Sequence, residues 1–196
     1  MQHRALKMAV TIVVAAVLAG STAVCLGLVD AGRAIDATLE QLDYQAMQLN
    51  HSIHAAVARG EPVDPEDRSR ASVERRVSSL AGVADGILSE HAPPYVRALS
   101  RTLGDAFDLV PPSEAIHEAL TAYLEHADQA SEEAAQSAGA ADVQSRLLEL
   151  NYDALALKIS QARERAGQGI SSALTALQLI TFVSIGIGAM AVGLTP

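Results

Sequence analysis

Seven side chains in this sequence could meet at one height and hold a small polar ligand. They are His51, His54, Arg70, Glu74, His126, Asn151 and Tyr152. His51 and His54 are spaced i, i+3, which puts both on one side of a helix. Three imidazoles with a guanidinium, an amide and a phenol suit a polar ligand, or a metal through the histidines. No carboxylate-rich motif fixes a metal geometry, and three water-exposed histidines fit the same spacing, so no metal is assigned. Arg68, Arg70, Arg75 and Arg76 form the densest basic patch. Guanidinium forks suit carboxylate or phosphate ligands. Glu66, Asp67 and Glu74 are interspersed among them, as on a self-neutralised solvated face. The sequence contains no nucleophile–base constellation, no Gly-rich phosphate loop and no metalloprotease motif. It therefore reads as a non-enzyme with no cofactor.

The elements that would carry these residues are helices. Apolar residues keep a 4-3 spacing, the heptad pattern of helices packed side by side. Helix one carries Leu28, Gly32, Ile35, Leu39, Leu42, Ala46, Leu49, Ile53 and Ala56. Helix two carries Val73, Val77, Leu80, Ala84 and Ile87, from an Asp64 N-cap and Pro65. It is expected to run to about His91. Helix three, from Ser113 to about Ala138, carries Ile116, Leu120, Tyr123, Ala127, Ala130 and Ala134. Helix four carries two stripes. Val143, Leu147, Leu150, Ala154 and Leu157 make the first; Leu155, Ile159, Ala162, Ala166, Gly169 and Ala173 make the second. One face is expected to meet its own bundle and the other a partner.

Gly60, Pro62 and Pro65 mark a first turn, and Gly139 marks a last one. Pro93-Pro94 and Pro111-Pro112 bracket a segment, Tyr95 to Leu109, expected to be a short helix. The fold class is thus all-α: an antiparallel up-down-up-down four-helix bundle.

Both ends of the chain are apolar. Met8–Val29 and Ala173–Leu194 carry no charge. As helices of about 33 Å each they can cross a bilayer core of about 30 Å. The periodicity of helices one and four runs into them without a break. Arg4 and Lys7 precede the first span, while all 23 acidic residues lie between the spans. That placement predicts a cytoplasmic tail at 1–7 and spans at 8–29 and 173–194. It puts an extracytoplasmic domain at 30–172, with the cytoplasmic side resuming at 195–196. The net charge of −9 argues against nucleic acid as a partner. Cys25, the single cysteine, lies inside the first span and allows no intrachain disulfide. Gln178 is the one strongly polar residue of the second span, where an amide can bond across helices.

A short basic tail, a span, a four-helix bundle and a second span resemble the sensory module of bacterial transmembrane receptors. Methyl-accepting chemotaxis receptors and some sensor histidine kinases share this layout. The resemblance covers the whole chain and rests on architecture and heptads. It implies signal sensing in the bacterial cytoplasmic (inner) membrane, with a multi-pass topology. The lipid bilayer and a second copy of the chain, as a homodimer, are the implied partners. A small molecule or a periplasmic protein is the implied signal, and output passes to a cytoplasmic domain beyond Pro196. After Arg33, helix one has no arginine until Arg59, so it lacks the anion-holding arginine of nitrate-sensing bundles of this layout. The alternative is a two-span membrane adaptor that presents a helical bundle to a membrane partner.

Overall fold

The computed structural model describes residues 2–63, 68–86, 102, 106–107, 113–136 and 140–193. Among these, every residue outside the turn at 60–63 is helical and none is in a strand. Four helices result: α1 (Gln2–Arg59), α2 (Arg68–Gly86), α3 (Ser113–Gln136) and α4 (Ala140–Gly193). α1 and α4, of 58 and 54 residues, contain glycines but no proline, so neither loses a backbone donor along its length. Each is about 80–90 Å long at the α-helical rise.

α1 stops at Gly60, whose φ of 65° is open to glycine at little cost. There Gly60 N–H donates to Val57 O (3.1 Å) and Glu61 N–H donates to Ala56 O (3.0 Å). These are the paired bonds of a Schellman cap, and Pro62 follows to prevent resumption of the helix.

One core joins the four helices. It comprises Ile35, Leu39, Leu42, Ala46, Leu49, Ile53 and Val57 from α1, and Val73, Val77 and Leu80 from α2. α3 adds Ile116, Leu120, Tyr123, Leu124, Ala127, Ala130 and Ala134. α4 adds Leu148, Leu155, Ile159, Ala162 and Ala166. The stripes expected on α1 and α3 are the buried ones. At the tip of α1 the core residue is Val57, while Ala56 is half-buried.

Of the two faces expected on α4, the second stripe is the one that meets the core. The first stripe, Val143, Leu147, Leu150, Ala154 and Leu157, faces outward and is exposed. Only one face of a helix can meet a given core. The buried stripe keeps an unbroken 4-3 spacing from Leu148 through Tyr152 to Ala173. The exposed one runs into Gln161 and Glu164. Only the former can hold α4 against α1 along its length.

Contacts fix the relative directions of the helices. α1 and α4 meet at Asp36–Arg163, Gly32–Ile170 and Val14–Gly188, an antiparallel series. α1 and α3 meet at Asn50–Tyr123 and Gly60–Ala134, a parallel series. α3 and α4 meet at Tyr123–Tyr152 and Glu133–Gln144, again antiparallel. α2 is strapped to α1 by Arg76, which donates to Gln45 Oε1 (3.1 Å) and to Gln41 Oε1.

A second cluster, Val24, Leu28, Ala173 and Leu177, continues the α1–α4 seam. Phe107 packs against it, so the helical residues 106–107 lie at this end of the bundle. Past that cluster α1 and α4 expose large apolar side chains, among them Met8, Ile12, Val13, Leu179, Phe182 and Ile187. These two helices are long and apolar enough to cross a membrane. The expected N-cap at Asp64 and Pro65, the residues Ile87 and His91, the turn at Gly139 and most of Tyr95–Leu109 lie outside the described residues.

Candidate functional site

Beyond the level of Arg76, the described residues bring Arg70, Asp128, Tyr123, Asn50 and Tyr152 into polar and ring contacts between the helices. Arg70, at the start of α2, is 20% exposed on its side chain. Its Nη1 donates to both Asp128 carboxylate oxygens on α3 (3.2 and 3.4 Å), and its Nε donates to Glu74 Oε1 (3.4 Å). One guanidinium thus ties α2 to α3 and has two carboxylates of its own chain as counter-ions. The arginine expected to be offered to an anion is already neutralised.

Below it, Tyr123 is fully buried on the α3 stripe. Its hydroxyl donates to Asn50 Oδ1 on α1 at 2.8 Å. Its ring meets Tyr152 of α4 edge-on, with centroids 6.2 Å apart at 61°. Three helices therefore converge on one phenol. Burial pushes the Tyr123 phenol far above its ordinary value, and Tyr152 adds to the shift. Tyr152 is also raised, first by desolvation and then by the charges of Asp43 and Asp153. Both phenols remain neutral donors throughout the physiological range.

The other expected site residues disperse. Arg70 and Glu74 are joined, and Tyr152 belongs to the Tyr123 cluster. Asn151 donates its Nδ2 to Leu147 O of its own helix (2.8 Å). His51 and His126 are exposed and His54 is half-buried. Among the described residues no group of three His, Cys, Asp or Glu is placed to hold a metal ion.

Several residues that position this site escaped the sequence reading: Asp128, Asn50 and the pair Asp36–Arg163. The last was open to detection. Asp36, Glu40 and Asp43 each follow a core residue of α1, forming an acidic row on the edge toward α4. Arg163 Nε donates to Asp36 Oδ1 (2.5 Å) and Nη2 to Oδ2 (3.2 Å), with Glu40 at 3.9 Å. The hydrogen bond to Asp36, then its charge, raises the Arg163 pKa.

Two clefts follow the α1–α4 seam. One of about 300 Å³ lies beside that ion pair, between Gly32, Arg33 and Asp36 of α1 and Arg163, Gly167 and Ile170 of α4. The other, of about 400 Å³, lies in the apolar halves between Val10, Val13 and Val14 and Ser184, Ile187 and Gly188. The hydroxyls in those halves each return to their own helix: Ser21 to Val17 O, Thr181 to Leu177 O and Ser184 to Ile180 O. Comparisons with protein-family models, with curated proteins and with solved structures return no match.

Proposed function

We propose that this chain is the sensory and transmembrane module of a bacterial receptor. In this reading it is an up-down-up-down four-helix bundle outside the cytoplasm, continuous with two membrane spans. The observation that carries the reading is the unbroken course of α1 and α4 from exposed apolar ends into the core of the bundle. Water would penalise so much exposed apolar surface; a bilayer would not. The hydroxyls bonded to their own helices suit that solvent, where an unmet polar group is costly.

A helix unbroken between two compartments can pass on displacement or rotation as a rigid body. A signal received near Tyr123 and Arg70 would favour one of two packings, and α4 would carry the difference across the membrane. The signal is a small polar molecule or a partner protein, and the output domain lies on the cytoplasmic side.

The test is a chimera in which residues 1–196 drive a reporter receptor kinase-control domain. Inserting two residues after Ala166 rotates the two parts of α4 by about 200° relative to each other. The reporter should lock in one output state, and a seven-residue insertion should largely restore its switching. An output indifferent to the two-residue insertion would reject transmission through α4.

A further inference from the structure

The outward face of α4 is apolar, regular and uncovered. Leu150 is 65% exposed and Leu157 55%, in line with Val143, Leu147 and Ala154. The spacing is 4-3-4-3, so in heptad terms Leu147 and Ala154 occupy a while Val143, Leu150 and Leu157 occupy d. The stripe covers about 21 Å of helix. The opposite face of α4 keeps the same seven-residue repeat against α1 from Leu148 to Ala162 and Gly169. The outward stripe therefore stays in phase along the helix rather than winding around it.

Two polar observations identify what covers this face. In this frame Asp153 is a g residue and Lys158 the following e residue. Both are exposed, and neither has an ion pair among the described residues. A parallel pair of α4 helices puts Asp153 of each copy against Lys158 of the other, the g-to-e′ geometry that selects partners. An antiparallel pair with the same apolar layers would instead set Asp153 beside Arg146 of the other copy, so the orientation is decided by the second observation. The second observation is Gln178. Continuing the heptad down α4, the d positions fall at Glu164, Ser171 and Gln178. Gln178 is exposed and has no hydrogen-bond partner among the described residues. In a bilayer an amide gains from a partner on a neighbouring helix, and two parallel copies place Gln178 against Gln178.

We infer that the outward face of α4 is a parallel self-association seam, joined by Val143–Leu157 above and Gln178 below. The intervening Gln161, Glu164 and Gln168 are polar, so contact is made at the two ends rather than throughout. The inference rests on the membrane-crossing reading, because two spans inserted alike force the copies to be parallel.

The test uses the full chain in phospholipid vesicles with Cys25→Ala as background. Single cysteines replace Leu147, Leu150, Ala154 or Leu157 on the stripe, and Glu149 on α4 or His51 on α1 off it. Disulfide cross-linking between identical positions should be rapid on the stripe and slow off it. Equal rates at Glu149 or His51, or no cross-linking on the stripe, would overturn the seam. Asp153→Lys or Lys158→Asp alone should weaken dimers about tenfold, and the two together should restore them. A double variant as weak as either single one would overturn the parallel pairing. Gln178→Leu should shift dimers toward monomers, and an unchanged equilibrium would overturn the lower contact. The stripe is exposed, so none of these changes touches the core of one copy. Alkaline carbonate washing separates the two ideas. Release from the vesicles rejects the membrane reading; retention with off-stripe cross-linking rejects the seam alone.

Discussion

Tyr123 is the residue on which the distal half converges. Replacing it with phenylalanine keeps the ring and its contact with Tyr152 but leaves half-buried Asn50 without its donor. The expected cost is about 1 kcal/mol in thermal or chemical unfolding. The same residue sets an alkaline limit. Its phenol holds its proton in the folded chain far above the ordinary value of 10.0. Between those two values the unfolded chain releases a proton that the folded one keeps, so rising pH favours unfolding. This contribution to stability is whole below pH 10 and fades above it. Unfolding followed by circular dichroism should show a steeper loss above pH 10 for the native chain than for Tyr123→Phe. At this scale the sequence reported height but not direction. The rise per residue put His51, His54, Arg70, His126 and Tyr152 near one level. Which of them face each other depends on how α1 to α4 are rotated about their axes, and that is decided by the core. Arg70 turned to Asp128, which no spacing within α2 reveals.

Periodicity made α1 and α3 legible because each has one apolar stripe and one core to meet. α4 has two stripes, and periodicity reports that a face is apolar without reporting what covers it. Leu155 and Leu150 measure the difference. Leu155→Ala should cost about 2–5 kcal/mol, because it empties space in a packed core. Leu150→Ala should change the stability of a single copy by less than about 0.5 kcal/mol. Urea unfolding of both variants in detergent micelles, at dilution that keeps copies apart, makes the comparison. Equal losses would mean that the outward stripe is covered within one chain. The end of α1 was legible for a local reason, since Gly60 and Pro62 dictate a backbone geometry that needs no tertiary partner. At the same tip the core residue is Val57, four residues after Ile53, rather than Ala56, three after it.

The described residues are chiefly two long helices with two shorter ones packed against one half of their length. Extraction should reflect that division. In the proposed orientation a protease added outside the membrane should leave two protected fragments of about 25–30 residues, each an apolar end with its cytoplasmic tail. Mass spectrometry of the protected material should return peptides from Met8–Val29 and Ala173–Met190. Complete digestion would mean that these ends do not lie in the bilayer.

α1 and α4 approach each other closely at two glycines, and those two points form an interlock. A side chain on Gly32 would meet Ile170 Cδ1 at 2.7 Å, and one on Gly188 would meet Val14 Cγ2 at 2.6 Å. At the first, α4 supplies the tooth and α1 the notch; at the second, the roles reverse. Sliding one helix along the other by a turn of about 5.4 Å would withdraw both teeth at once and drive them into neighbouring side chains. The pair therefore resists acting as a piston inside its own sleeve. In the proposed orientation a displacement of α4 across the bilayer would carry α1 with it, the two moving as one beam.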